Sequence, residues 1–202
     1  MILIQFLFVA AVPTHECVPF MLQKNVHDLY VSSLPQLMAA LHSNNPHSIP
    51  SIEKVVISMG LGSCLGDRKK IDEAAAQLSQ ISGQKAVITR AKKSVSGFRL
   101  REGVDVGCCV TLRRRRMYAF LTRLLFLVLP RVRDFRGLRS TAFDGHGNYS
   151  FGLSEQSVFP EIDPEKVSFS QGMNVCVVTT AQDNEIGRLL LSKIGFPFSK
   201  ES

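Results

Sequence analysis

Gly60, Gly62 and Gly66 stand between a β-branched run at residues 52–59 and a helical pattern that begins after Asp67. Glycines so placed let backbone N–H groups approach a pyrophosphate at a helix amino end, which is the chemistry of a dinucleotide turn. The acid that would meet a ribose about twenty residues later is missing, because the next strand pattern ends in Thr89-Arg90. An arginine there suits a phosphorylated ribose, so a nucleotide-dependent oxidoreductase built on this turn is one reading. The segment that follows lacks a βαβ rhythm, which favours the plainer reading of a tight turn that lets RNA or a neighbouring element come close. Other catalytic sets are thin. His15, His27, His42, His47 and His146 fall mostly in the amino-terminal part, none at metal-ligand spacing from another ligand, and no G-x-S-x-G elbow occurs. Glu161 and Asp163 flank Ile162 after Phe159-Pro160 and could seat a cation, although a solvated turn is the simpler account. Cys17, Cys64, Cys108, Cys109 and Cys176 are odd in number with no C-x-x-C pair. That argues against a disulfide framework or zinc site and suits a reducing compartment. The expectation is a protein with no active site, metal or cofactor.

Charge is the stronger signal. Residues 85–139 hold 15 Lys/Arg against 3 acids, a net +12, whereas the 202-residue chain is only +7. Everything outside this stretch therefore nets −5. A field this concentrated attracts a polyphosphate backbone through Coulomb attraction and counterion release. Aromatic and glycine residues (Gly97, Phe98, Gly103, Tyr118, Phe120, Phe135, Gly137) are interleaved with the charges. The stretch has three physical parts. Arg90 leads into a glycine-bearing ribbon at residues 91–103 that carries Lys92, Lys93, Ser94, Arg99 and Arg101 and is suited to an irregular RNA backbone. Arg113 to Arg116 occupy a strand–helix junction, where they oppose the macrodipole unless an external anion neutralises them. Arg131, Arg133, Arg136 and Arg139 follow the break at Pro130, with Asp134 among them to pair internally or meet a basic protein.

The elements that must carry these groups can be read from periodicity. Residues 21–42 have a helical apolar pattern that Pro35 should break or restart. Strands are expected at residues 52–59, 85–90, 104–112, 149–153 and 173–180. Helices are expected from an Asp67 cap to about Gln80, over residues 113–132, and over 185–193. Strands and helices mix irregularly and no linker or repeat divides the chain. The fold class expected is α+β, a mostly antiparallel sheet with helices packed on one face, as a single domain bearing a basic RNA-binding loop. Residues 1–12, MILIQFLFVAAV, are apolar but lack a basic flank and are too short to span a bilayer as a helix. Residues 1–20 are expected to be a leader or extension outside a folded domain of residues 21–202, with no membrane partner.

These segments in order resemble the bacterial-type large-subunit ribosomal protein five family, whose members bind 5S rRNA. The likeness is carried by Ile81-Ser82-Gly83-Gln84-Lys85, Lys92-Lys93-Ser94-Val95-Ser96-Gly97-Phe98, Arg101-Glu102-Gly103, Gly107-Cys108 and Val110-Thr111-Leu112-Arg113. It continues through PRVRDFRGL from Pro130, FDGHGNYSFG from Phe143, FPEID from Phe159 and the ending Phe196-Pro197-Phe198. The resemblance implies a structural constituent of the large ribosomal subunit, in the central protuberance of a bacterial or organellar ribosome, a mitochondrial one included in view of the leader. It implies 5S rRNA, large-subunit rRNA, P-site tRNA, small-subunit ribosomal protein thirteen and other central-protuberance proteins as partners. By position Ser58, Gln84 and Thr111 match the 5S-contacting residues, and the ribbon at residues 91–103 matches the tRNA-facing part. Arg113, Arg131, Arg133, Arg136, His146 and Asn148 match rRNA or subunit-bridge positions. Ser58 departs from the asparagine usual there, keeping a donor and acceptors but losing the reach of an amide. Cys109 and Arg115 also depart, and the residues up to Phe20 have no counterpart. A free RNA chaperone outside the ribosome is the remaining alternative.

Overall fold

The computed structural model describes residues 25–64, 67–98, 100–163, 165 and 167–199. Helix α1 (Val26–Ala40) is followed by strand β1 (Ile52–Gly60), helix α2 (Arg68–Ser82), β2 (Val87–Arg90) and β3 (Asp105–Arg113). Helix α3 (Arg114–Arg123), β4 (Tyr149–Leu153), β5 (Met173–Thr179) and α4 (Asn184–Ile194) complete the order. The five strands form one sheet in the order β2-β3-β1-β5-β4, and every neighbouring pair is antiparallel. The expected α+β class is the observed one.

Alternation along the strands decides which side is core. Val55, Ile57 and Met59 of β1, Cys108, Val110 and Leu112 of β3, and Met173, Val175 and Val177 of β5 are buried. They meet Ile71, Ala74, Leu78 and Ile81 of α2, Met117, Phe120 and Leu121 of α3, and Leu190, Leu191 and Ile194 of α4 in one core. Each buried Val, Leu, Ile, Phe or Met among them contributes about 1.5–3 kcal/mol. The helices take this face alone, with α2 lying on β3, α3 on β1 and β3, and α1 on α3 and α4. A bulge at Glu53 shifts the register against β5, which returns Ile52 to the buried side.

Local chemistry accounts for the element ends. Gly83 closes α2 in the left-handed region, φ +66°, and its N–H reaches Ser79 O at 2.9 Å. Asp67 holds the N-cap position of α2, but its carboxylate takes Lys70 Nζ at 2.9 Å instead of capping an N–H. Two expectations need correction. Pro35 does not break α1, which runs through it. The carbonyl left without a donor, four residues back at Val31, belongs to an exposed residue and can face water. The Ser32 and Ser33 hydroxyls meanwhile donate to Leu29 O and Tyr30 O, at 2.9 and 2.8 Å. The helix expected over residues 113–132 is also not uniform. After Arg123 it widens to π winding at Leu124–Val128 and then tightens to a 3₁₀ turn at Leu129–Arg131. Pro130 supplies no N–H there, so regular α winding cannot continue.

The sheet leaves one point with no tolerance. A Cβ added at Gly107 on β3 would sit 2.5 Å from Met59 O on β1. Replacing Gly107 by Ala should cost about 1–3 kcal/mol, read as a lower urea midpoint; an unchanged midpoint would contradict the packing described.

Candidate nucleic-acid interface

The face of the sheet away from the helices carries the alternate residues. Lys54, Val56 and Ser58 of β1, Cys109 and Thr111 of β3, Asn174, Cys176 and Val178 of β5, Ser150 and Gly152 of β4 and Val87 of β2 lie on it, none of them buried. Register sets their neighbours. Val87, Cys109, Ser58, Asn174 and Gly152 form one row across all five strands, and Thr111, Val56, Cys176 and Ser150 form the next. Apart from Lys54, these two rows and their neighbours are uncharged and rich in hydroxyl, thiol and amide groups.

Two of the three residues expected to contact 5S rRNA, Ser58 and Thr111, lie on adjacent strands and neighbouring rows of this face. Gln84 joins them from the turn after α2. Its Nε2 donates to Thr111 O at 3.4 Å, and its Oε1 accepts from Arg116 at 3.3 Å. Arg116 thus orients Gln84, a role its place in a run of four arginines does not reveal. Of that run, Arg113 pairs with Glu53 at 2.9 Å and holds the Glu53 carboxyl below its usual range through that hydrogen bond. Arg114 and Arg115 open onto a hollow of about 690 Å³ shared with His27, Asp28 and Tyr118.

The ribbon is ordered by its own backbone. Val95 and Leu100 form a bridge, Ser94 Oγ accepts the Glu102 N–H at 2.9 Å, and residues 96–98 make one 3₁₀ turn. Lys92, Lys93 and Arg101 are exposed, and so is Phe98 at 77%. Arg90 is partly engaged, its Nε 3.0 Å from Asp105 on the paired strand. Arg99 lies outside the described residues, as do residues 1–24 and Gly66.

Arg131, Arg133, Arg136 and Arg139 are all exposed, on a segment anchored from two sides. Leu138 N–H donates to Pro197 O, and Ser199 N–H returns to Leu138 O, each at 2.8 Å. The buried Tyr149 hydroxyl donates to Arg139 O at 2.8 Å, and burial pushes its pKa up to about 12. The neighbouring glycine turn folds around Asp144. Its carboxylate accepts from Asn148 Nδ2 at 2.7 Å and from the His146 and Asn148 N–H groups at 2.9 and 3.1 Å. Asn148 also accepts the Thr179 N–H at 3.1 Å, so its side chain is spent on the loop, while His146 stays exposed.

Glu161 neither seats a cation nor lies in a solvated turn. It is half-buried against Arg123, whose second guanidinium nitrogen donates to Ile81 O at 3.1 Å. Arg123 is therefore a structural member of the basic stretch. The glycine turn after β1 does not have the surroundings of a dinucleotide site. β1 is antiparallel to both its neighbours, and Gly62 starts a short 3₁₀ turn rather than a long helix. Cys64, Cys108, Cys109 and Cys176 are free thiols; burial pushes Cys108 up to about 11, which keeps it protonated. Among the described residues no His, Cys, Asp and Glu group could hold a metal ion, and no helix is long and apolar enough to cross a membrane.

Comparison with known proteins agrees with this geometry. Residues 45–101 match the family model described as Ribosomal protein L5, and residues 105–198 match the model of the same ribosomal family's C-terminus. The large ribosomal subunit protein uL5 of Geotalea daltonii is 49% identical over 174 residues, 86% of this chain and 97% of its own length. That of Treponema pallidum is 48% identical over 186 residues, 92% of this chain and 98% of its own. The chain belongs to the ribosomal protein L5 family. It is a structural, RNA-binding protein of the large ribosomal subunit and not an enzyme. Within this L5 chain Asn174 and Ser150 lie on the bare face of the sheet, and sequence reading did not single them out. The alternation Met173, Val175, Val177 against Asn174, Cys176, Val178 is the signal that could have found the first.

The Asp144 turn makes a pH prediction. Its carboxyl is held below the ordinary value of about 4, first by the Asn148 amide and then by the two backbone N–H groups. The folded value lies below the unfolded one, so this stabilisation is complete above the ordinary aspartate range and is lost as pH falls through the depressed value. An NMR titration should give Asp144 a midpoint below the model-peptide value, with the His146 and Asn148 amides shifting at the same midpoint. An ordinary midpoint would contradict the network.

Proposed function

We propose that this protein attaches 5S rRNA to the central protuberance of the large subunit through the open face of its sheet. The observation that carries the reading is that this face is left bare by the helices and brings Ser58 and Thr111 to neighbouring register positions, with the Gln84 amide hydrogen-bonded to Thr111 O. Neutral groups of this kind suit the base edges and 2′-hydroxyls of folded RNA, whereas Lys and Arg at the margins supply phosphate contacts. The ribbon at residues 91–103, with Lys92, Lys93, Arg99 and Arg101, reaches P-site tRNA. The anchored segment bearing Arg131, Arg133 and Arg136, with the His146 turn, faces large-subunit rRNA and small-subunit protein thirteen. The bacterial relatives favour a bacterial cytoplasmic ribosome over an organellar one.

Two groups of variants test the division of labour. Gln84→Ala and Thr111→Ala should each weaken binding of a 5S rRNA transcript by about 2–10-fold. Replacing Lys92, Lys93 and Arg101 together by Ala should leave that affinity within about twofold yet weaken crosslinking of P-site tRNA to reconstituted large subunits. Wild-type affinity should fall as salt rises, with each phosphate contact adding roughly 0.7–0.9 to the log–log slope. Loss of 5S binding in the ribbon variant, with none in the sheet variants, would overturn the assignment.

A further inference from the structure

β4 is an edge of the sheet, and only the first half of its free side is covered. Phe143 bridges Tyr149 there, and the Ser150 N–H donates to Ala142 O at 3.1 Å. Backbone groups alternate in direction along an antiparallel strand, so the N–H and C=O of Gly152, two residues on, point to the same open side. Among the described residues no hydrogen bond engages them there. The open half, Ser150-Phe151-Gly152-Leu153, has no charge, proline or bulge, the usual protections of an edge strand. The opposite edge, β2, ends in Arg90. A groove runs beside the β4 edge. One hollow of about 420 Å³ has Leu129, Val132, Phe135, Leu138 and Phe151 in its walls, with Arg139 beside them. A second, of about 360 Å³, continues it past Val132 and Ser154, which line both, to Arg131 and Arg133. The acid that lines this second part, Glu155, already accepts the Ser157 hydroxyl at 3.1 Å.

We propose that this edge and groove form a docking site for an extended, acidic segment of a partner protein, added to the sheet as a further strand beside β4. Main-chain hydrogen bonds to Gly152 hold the segment, alternate apolar side chains enter the groove against Phe135 and Phe151, and its acids meet Arg131 and Arg133. Charge complementarity selects this occupant, because the two hollows are lined by three arginines and one acid. A second copy of the chain is disfavoured, since pairing β4 with β4 would bring two such sets of arginines together. RNA fits less well, because its phosphates offer no donor to the Gly152 C=O and nothing to the apolar walls. The inference goes beyond the contacts proposed above and does not depend on the 5S rRNA surface. Arg136, which lines neither hollow, is left to rRNA.

The test titrates the full chain with a synthetic probe, acetyl-Asp-Asp-Val-Ser-Val-Ser-Val-Asp-Asp-amide, and follows the backbone amides by NMR. The Gly152 amide should shift and exchange more slowly with solvent. Methylating the two serine nitrogens of the probe, which removes the donors facing Gly152, should weaken binding about 5–10-fold. Replacing its aspartates by lysines should abolish binding. The double variant Arg131→Ala/Arg133→Ala should bind about threefold more weakly and lose most of the salt dependence. Phe135→Ala should bind about fivefold more weakly; its melting temperature is measured alongside, and the methylated probe tests the same site with the protein unaltered. No binding, or equal binding of the methylated probe, would overturn the proposal. A Gly152 amide that responds to a 5S rRNA transcript and not to the probe would overturn it in favour of RNA. Dimerisation of the wild type that protects Gly152 would assign the edge to a second copy instead. Intact 5S rRNA binding without probe binding removes the groove alone, and the reverse removes the sheet-face reading alone.

Discussion

Side-chain parity along β1 is the constraint from which the rest follows. β1 is the central strand and has antiparallel partners on both sides, so its register fixes the faces of β3 and β5 together. Val55, Ile57 and Met59 are drawn to the helices, and Lys54, Val56 and Ser58 must then point away. A slip of one residue would exchange the two sets and expose the core. The hydrophobic effect that stabilises the helix layer therefore also determines which polar groups are displayed, and in what rows. The bulge at Glu53 is the one place where β1 breaks parity, and it lies at the end away from Ser58.

The charges are arranged around that display instead of on it. Arg90, Arg113 and Arg123 have carboxylate partners, and Arg116 is turned toward Gln84. Exposed pairs of the first two kinds are worth little in stability, but they orient guanidinium groups at the sheet's edge. Lys92, Lys93, Arg101, Arg131, Arg133 and Arg136, which have no ion pair among the described residues, lie on segments pinned by backbone hydrogen bonds. Such loops hold charge in a defined place without burying it, so the desolvation cost that limits buried charges never arises.

The strands and helices were legible in the sequence to within a residue or two where period and punctuation agree, as at residues 52–59 and at Ser82-Gly83. Pro35 misled because proline chemistry forbids a hydrogen bond but not a helix whose freed carbonyl faces solvent. Arg123 shows a different limit, since in a basic stretch nothing local distinguishes a surface charge from one held by a glutamate 38 residues away. The interface was half legible. Alternation marks Asn174 as outward-facing, yet only the pairing of β5 with β1 makes it Ser58's neighbour. Those strands are separated by more than a hundred residues, and that order is decided by core packing.

The separation of a neutral row from a charged margin has a physical consequence for recognition. Phosphate contacts give affinity to any RNA and weaken together as salt rises. Hydrogen bonds from hydroxyl and amide groups hardly respond to salt and demand a fitting partner, because a mismatched RNA would leave buried polar groups unpaired at a cost of about 1–3 kcal/mol each. Mixing the two kinds of group on one surface would let a nearby lysine hold a wrong RNA in place. In the docking proposed above, a Ser58–Asn174 row without cations discriminates by shape and hydrogen bonding, while the marginal charges add affinity for any RNA. A sheet covered on one face alone produces this arrangement without further machinery, since its bare side has no apolar partner and displays Ser58, Thr111, Ser150 and Asn174 among valines.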